Sequence, residues 1–257
     1  VNIDLIKILN NFDSISLNQL GNAKLMDRTD TKFIFHYNEL PSILNDLKLH
    51  YKCLEIEGVI NSTYETLYFD TINNLQYIQH HNGKANRYKI RFRNYIESKI
   101  GYLEIKLKSN KDRTIKTRIK SKLEDSLTET QKIFIESNSN LNPELLIPKV
   151  WINYKRICLV SKTSNERLTL DTNLEIINGS KNILLDKLVI AEVKREGKNH
   201  SHFIDTVKRH SVREGGISKY CLGIALTTKN IKTNRFKEKL IKINTIQNDA
   251  RNTINNL

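Results

Sequence analysis

From Arg87 to Arg93 the chain alternates a cation with an apolar or aromatic side chain, Arg-Tyr-Lys-Ile-Arg-Phe-Arg. Successive side chains of a β-strand point to opposite faces, so as a strand this stretch lines one face with positive charge and the other with Tyr88, Ile90 and Phe92. The same period of two, with Thr, Ile and aromatic enrichment, predicts strands over 26–36, 53–59, 63–69, 87–95, 101–108, 114–120, 150–160, 168–177 and 188–195. Helices are predicted over 39–49, with Asn38 as cap and Pro41 in the first turn, and over 73–81, 127–136 and 202–211. Residues 2–20 read as a short helix and an approach segment. Apolar spacing at Phe236, Leu240, Ile243 and Ile246 predicts a separate amphipathic helix near the end. The strands follow one another without the crossover rhythm of a parallel sheet, and no linker or internal repeat divides them. The expected organisation is one α+β domain on a large antiparallel sheet over residues 1–228, then a basic C-terminal helix or tail over 229–257.

The charged columns recur from strand to strand. Glu104, Lys106 and Lys108 share one face, opposite Leu103, Ile105 and Leu107, and Lys116, Arg118 and Lys120 align in the same way. Glu192 and Lys194 lie opposite Val189, Ala191 and Val193, while Arg28, Asp30 and Lys32 alternate with Thr29, Thr31 and Phe33. Tyr154 shares a parity with Arg156, and Arg167 with Thr169 and Asp171. Any one such strand is ordinarily the wet side of an antiparallel sheet. A closed barrel with charged residues inside, apolar residues outside and helices around it explains all of them together. Like charges in one column repel, so an enclosed face of this kind calls for a polyanion.

Composition narrows the anion. Across 257 residues, 42 Lys+Arg stand against 28 Asp+Glu, a net charge of +14, which favours nucleic acid, a membrane surface or a phosphorylated small molecule. Arg forks grip phosphate oxygens in two-pronged geometry and Lys acts as a point charge. Carboxylates on the same faces, Glu192 with Glu104 and Asp30, suit Mg²⁺ or Mn²⁺ bridging to phosphate oxygens. Proteins that stack bases place aromatics among their cations. Here Tyr88 and Phe92 fall on the other face, which favours a triphosphate over a specific nucleic acid. Neither a P-loop nor a Gly-x-Gly-x-x-Gly motif occurs. Cys53, Cys158 and Cys221 are widely spaced and odd in number, pointing to a reducing, cytoplasmic setting. No apolar run reaches the length of a membrane span.

In order along the chain, Asp27-Arg28-Thr-Asp30-Thr-Lys32, Thr66-Leu-Tyr-Phe69-Asp70, Arg91-Phe-Arg93, Glu104-Ile-Lys106, Tyr154-Lys-Arg156, Arg167-Leu-Thr-Leu-Asp171, Glu192-Val-Lys194 and Ser218-Lys219-Tyr220 resemble the VTC domain. This is the polyphosphate polymerase domain of the vacuolar transporter chaperone family, within the CYTH-like triphosphate tunnel metalloenzymes. The resemblance spans roughly residues 15–227. It implies a closed eight-stranded antiparallel tunnel with helices outside, in which the γ-phosphate of ATP or another nucleoside triphosphate passes to a growing polyphosphate chain with Mn²⁺ or Mg²⁺. By the resemblance Lys32, Arg91, Arg93, Lys106, Lys116, Arg156, Arg167 and Lys219 are catalytic phosphate ligands. Arg28, Lys89, Arg118 and Lys194 add cations, Tyr154 and Ser218 donate hydrogen bonds to phosphate, and Glu192 is the metal ligand, with Glu104 and Asp30 as further candidates. Lys116 and Arg118 share a face, and either fits the family's position on that strand. Arg87 and Lys89 sit nearer the tunnel mouth. The hydrolytic branch of the superfamily opens with Glu-x-Glu-x-Lys, whereas this chain has Arg28-Thr-Asp30-Thr-Lys32, one acid fewer and one arginine more. That favours polymerase over triphosphatase. A non-catalytic polyanion-binding barrel is a third reading. A partner in the membrane is also implied, since catalytic domains of this kind work beside membrane subunits.

Other features carry less. The histidines lack metal-pair spacing, and Cys158, on the parity of Arg156, reads as a small buried thiol. Asp171 reads as a metal ligand or, the commoner role, as the residue that orients Arg167. The basic tail (Lys229, Lys232, Arg235, Lys237, Lys239, Lys242) reads as a solvated helix face, or as a dock for anionic lipid or polyphosphate.

Overall fold

The computed structural model describes residues 3–19, 28–110, 114–124, 126–197 and 199–249. In chain order the elements are α1 (Ile3–Leu9), β1 (Asp13–Ser16), β2 (Arg28–His36), α2 (Leu40–Leu47), β3 (Tyr51–Glu55), β4 (Ser62–Asp70), α3 (Leu75–His81), β5 (Arg87–Tyr95), β6 (Ile100–Lys108) and β7 (Thr114–Lys120). There follow α4 (Glu129–Asn138), β8 (Ile147–Ser161), β9 (Glu166–Asn178), β10 (Lys181–Leu185), β11 (Leu188–Glu196), α5 (His202–Arg209), α6 (Lys219–Thr227) and α7 (Lys237–Asn248). The expected strand at 26–36 is described from Arg28 onward; residues 26 and 27 lie outside the described residues. The expected strand at 53–59 stops at Glu55, because Ile56 and Val59 bridge across a tight turn in which Glu57 and Gly58 have positive φ. Two short strands, β1 and β10, add to the expected set. β1 runs parallel to β3, and β10 folds back on β9 through a two-residue turn whose Gly179 has φ 57°.

The sheet contains the expected antiparallel eight-strand path, β2-β11-β9-β8-β4-β5-β6-β7, but it has 11 strands and does not close as a barrel. Among the described residues no ladder joins β2 to β7. The physical reason lies at β2's outer edge, where Phe33 bridges Glu214 and Lys32 O accepts from Gly215 N. A Cβ on Gly216 would lie 2.5 Å from Lys32 Cβ, so glycine is what lets this segment lie flat on the edge. Ser218 at its end accepts a hydrogen bond from Lys89 on β5, 2.9 Å away. The gap from β2 to β5 is thus spanned by an irregular segment in place of a strand pair.

Three apolar clusters support the sheet. Phe33, Phe35, Ile157, Leu159, Leu168, Leu170, Val189, Ala191 and Val193 face outward against α1, α2 and α5. Leu67, Phe69, Ile90, Phe92, Leu103 and Ile105 face outward toward Ile135 of α4. The third cluster fills one end of the inner face: Ile34, Tyr68, Ile152, Ile176, Leu188 and Ile190 surround Tyr220, Leu222 and Ile224 of α6. α6 lies against β8 and β9 and meets β4 through Tyr220, whose ring stacks on Tyr68 and whose hydroxyl bonds Asp70. α7 lies against β2 and β11, so the sheet curls around the pair. The sequence pattern missed α6 because the helix is apolar nearly all round, as a buried helix is. Gly223 gives it room, since a Cβ there would sit 2.8 Å from Ile152 Cδ1. α7 lays Phe236, Ile243 and Ile246 on the same cluster, and Gln247 bonds to Lys187 N and Leu184 O. No helix among the described residues is long and apolar enough to cross a membrane.

Asp70, fully buried at the end of β4, ties this closed end together. Its carboxylate accepts from Thr71 N, Gln76 N and Tyr77 N and from the hydroxyl of Tyr220 on α6. It does the capping that Asn74, at the N-cap of α3, does not do with its side chain. α2 begins after Glu39 without a side-chain cap, because the expected cap Asn38 lies inside a 3-10 turn, Tyr37–Glu39, that is itself capped by His36. Asp70→Ala strands several buried donors and should cost about 3 kcal/mol in urea unfolding. A loss below about 1 kcal/mol would show that the acceptor is dispensable.

Candidate active site

On the inner face, cations gather around three carboxylates, each shared by two positive groups. The first is Glu104 of β6, fully buried and directly across the ladder from Arg91 of β5. Arg91 donates Nε to Glu104 Oε2 at 2.7 Å and Nη1 to Tyr68 OH at 3.3 Å, while Lys116 of β7 takes Glu104 Oε1. Arg118, the register partner of Glu104, turns away and lies 4.3 Å over the ring of Tyr102. Of the two cations left open on β7, Lys116 is therefore the one that joins the cluster. Arg93, also buried, reaches Thr66 Oγ1 at 3.3 Å. Lys89 and Lys106 pair across the ladder, with Lys116 beyond.

The second carboxylate is Asp171 of β9. Arg156 of β8 grips it with two bonds, Nε to Oδ1 at 2.5 Å and Nη2 to Oδ2 at 2.7 Å, and Lys219 from the first turn of α6 also bonds Oδ2. Asp171 thus orients Arg156 and Lys219 in place of the expected Arg167. A bulge beside it, with Asn173 at φ 50°, flips the parity of β9 so that Leu174 and Ile176 share the inner face. The third is Glu192 of β11, with Lys32 at 3.1 Å and Lys194 at 3.0 Å; Lys194 also reaches Asp30 at 3.1 Å. Arg167 stands on β9 beside this group, register partner of Lys194. Arg28 begins β2, and its side chain lies outside the described residues.

Aromatic side chains join the clusters, which corrects the expectation that aromatics avoid this face. They come from the neighbouring strands β4 and β8. Tyr64 stacks on Tyr154 at 5.3 Å; Arg93 and Arg156 each lie over both rings, and Lys219 over Tyr154. The buried Tyr154 hydroxyl has no hydrogen-bond partner among the described residues. Ser218 caps α6 and accepts a hydrogen bond from Lys89, which places it beside the cations. The parity pattern gave no signal for Thr66, Tyr64 or Tyr68, because none of them is charged. Arg87 lies at the periphery, bonded to His80 and to Lys84 O.

The sequence pattern of the VTC domain matches residues 27–228. The chain belongs to the VTC domain family. Its similarity to solved structures is at low identity. A candidate adenylate cyclase from Vibrio parahaemolyticus is 13% identical, with 76% of this chain and 97% of that one covered and a TM-score of 0.46. A candidate adenylyl cyclase from Hippeastrum, described as having a dominant triphosphatase activity, is 11% identical, with 76% and 94% covered and a TM-score of 0.47. A candidate adenylate cyclase from Bacillus halodurans is 12% identical, with 82% and 97% covered and a TM-score of 0.45. No curated protein matches the chain.

The electrostatics of this VTC domain follow from the crowding. Burial alone would raise the Glu104 carboxyl, but Arg91, Arg93 and Lys116 hold it well below the usual range. Asp171 and Glu192 are lowered in the same way, by Arg156 and Lys219 and by Lys194 and Lys32. Glu104 has both oxygens engaged by cations and is unsuited to a metal, contrary to expectation. Among the described residues no three His, Cys, Asp or Glu are arranged to hold a metal by themselves. Asp30 and Glu192 do fit a divalent cation in part, because both reach the one ammonium of Lys194 and so converge on a point. Mg²⁺ sites commonly use one or two carboxylates and complete the shell with phosphate oxygens and water. Burial pushes the Cys158 thiol up, so it is no thiolate nucleophile.

The cations themselves are strained. Lys106 is driven well below its ordinary value by the charge of Arg91, by burial and by Arg93 and Lys116. Burial brings Lys116 down to about 8, with Arg91 and Arg93 adding to the effect and Glu104 opposing it. A bound polyanion restores the charged forms, so binding should take up protons near pH 7.5, measurable by calorimetry in buffers of different ionisation enthalpy. Above pH 8 the free protein holds Lys116 neutral, and binding must then recharge it. The affinity advantage of wild type over Lys116→Met for tripolyphosphate should therefore shrink above pH 8, by up to about tenfold per pH unit. An advantage that stays constant from pH 7 to 9.5 would remove Lys116 from the site.

Proposed function

We propose that this VTC domain is a metal-dependent polyphosphate polymerase, transferring the γ-phosphate of ATP to the end of a growing polyphosphate chain. The observation that carries this reading is the cation-rich inner face, where Arg91, Arg93, Lys89 and Lys106 are packed with too few carboxylates to neutralise them. A face that holds one triphosphate and still has cations to spare suits a second anionic chain, the acceptor. In the transfer, the bond between the γ-phosphorus and its bridging oxygen breaks. A terminal oxygen of the acceptor forms the new bond, and the nucleoside diphosphate leaves. Such a reaction needs in-line positioning and charge stabilisation more than covalent chemistry.

Arg91, fixed by Glu104, and Arg156, fixed by Asp171, present their remaining N–H groups to phosphate oxygens in preset orientations. Lys219, Lys89 and Ser218 bring the start of α6 to the same place, and Tyr154 OH adds a donor. Asp30 and Glu192 would hold Mn²⁺ or Mg²⁺, and when bound the metal neutralises charge on the β- and γ-oxygens. Lys194 and Lys32 keep Glu192 ionised, and Lys194 pairs with both carboxylates in its absence. The location we propose is cytoplasmic, with any attachment to a membrane supplied by a partner.

Purified protein with ATP and Mn²⁺ tests the reading on a gel. Long chains are expected; orthophosphate alone would assign the site to a triphosphatase, and no turnover with tight, salt-sensitive binding would make it a polyanion-binding module. Arg91→Ala or Arg93→Ala should lower the rate by roughly 10³–10⁵, the range of charge-stabilising arginines in phosphoryl transfer. Wild-type rates in either variant would take that residue out of the reaction.

A further inference from the structure

One group on the inner face is not absorbed by phosphate chemistry. Tyr102 of β6 stands directly across the ladder from Arg93, two residues outward from Glu104, or about 7 Å along the strand. It lies at the end of the inner face away from α6. Arg118 leaves its register partner Glu104, whose oxygens already serve Arg91 and Lys116, and lays its guanidinium 4.3 Å over the Tyr102 ring. Tyr95 meets Tyr102 edge-on, with ring centroids 6.0 Å apart at 90°, and Tyr64 lies 5.0 Å from Tyr95. Tyr64 in turn stacks on Tyr154 beneath Arg93 and Arg156. A continuous aromatic–arginine path therefore leads from the phosphate cations outward, from buried Tyr64 to half-buried Tyr95 and Tyr102 and exposed Arg118.

We propose that Tyr102, Tyr95 and Arg118 form a shelf for the nucleobase of a nucleoside triphosphate whose phosphates lie on Arg91 and Arg93. The inference rests on the triphosphate reading above and adds where the rest of the nucleotide goes. Three features carry it. The shelf offers flat faces, Arg118 over Tyr102, which suit a planar uncharged ring. Tyr102 stands two residues, about 7 Å, along β6 from the Glu104 that holds Arg91, so the shelf is offset from that arginine along the strand. The other end of the face is filled by α6, so a nucleotide extending from the cations has this direction open to it. Ring and guanidinium faces stack any base, so adenine and guanine nucleotides should bind alike.

The test compares binding of ATP, GTP and inorganic tripolyphosphate by calorimetry without added metal. Stacking on one aromatic is worth about 1–3 kcal/mol, so Tyr102→Ala should weaken ATP and GTP about tenfold, within a range of roughly 5- to 150-fold. Tripolyphosphate should change less than twofold, and Tyr102→Phe should bind all three as wild type does. Arg118→Gln, at an exposed edge where folding is not at stake, should reduce ATP affinity severalfold and spare tripolyphosphate. Equal losses for ATP and tripolyphosphate in both variants would mean that these residues act on phosphate or on the fold, and would overturn the shelf. So would an unchanged ratio of ATP to tripolyphosphate affinity in both variants, or a strong preference for one base. If the wild-type chain binds no tripolyphosphate, the triphosphate reading fails and the shelf with it.

Discussion

Repulsion among buried cations is the constraint on which the rest of this molecule depends. Two like charges a few ångströms apart in a partly buried setting repel by several kcal/mol, and here the charges sit on adjacent strands at ladder spacing. The fold tolerates them because Glu104, Asp171 and Glu192 are each placed between two positive groups. None of these pairs need add net stability, since burying ions costs about as much as the pairing returns. What Glu104 and Asp171 supply is orientation: each consumes some N–H groups of an arginine and leaves the others free to turn to the inner face. Glu192 holds the ammonium groups of Lys32 and Lys194. Lys106, with no carboxylate on it among the described residues, shows the charge that compensation leaves over.

The apolar architecture explains how that charge stays on one side. Outward-facing Ile90, Phe92, Leu103 and Ile105 pack toward α4, and Leu168, Leu170, Val189 and Val193 against α2 and α5. A one-residue slip in any of these strands would exchange a charged row for an apolar one, so the burial of the outer row fixes the register of the inner row. At one end the inner face turns apolar as well, and α6 occupies it. That helix serves two ends at once: its body is core, and its first residues, Ser218 and Lys219, are part of the charged site.

Much of this was legible in the chain because parity is a local property. Arg87-Tyr-Lys-Ile-Arg-Phe-Arg states its two faces without help from other segments, and the strand it predicts has the boundaries found, Arg87–Tyr95. What was not legible depends on relations between segments. The closure of the sheet is one case: the gap at β2 is filled by Glu214 to Ser218, a stretch with no strand or helix pattern of its own. α6 is another, because an all-apolar run containing a glycine carries no period to read. The partner of Asp171 is a third. Arg167 shares its strand and parity, yet the carboxylate turns to Arg156 across the ladder and to Lys219 from a helix, a choice that only the register settles.

The charged face is in fact two half-sites. Arg91, Glu104, Lys106 and Lys116 belong to the β5–β7 side; Arg156, Asp171, Lys32 and Glu192 belong to the side formed by β8, β9, β11 and β2. Between them run the Tyr64–Tyr154 stack, with Arg93 and Arg156 over both rings, and the bond from Lys89 to Ser218. Strand β4 joins the halves through its ladders to β5 and β8, and the cations on the two sides repel across the face between them. A phosphate chain lying over both halves replaces that repulsion with attraction from either side. On the proposed reading such a chain would be a structural element as well as a ligand, its binding free energy adding to the stability of the curled sheet.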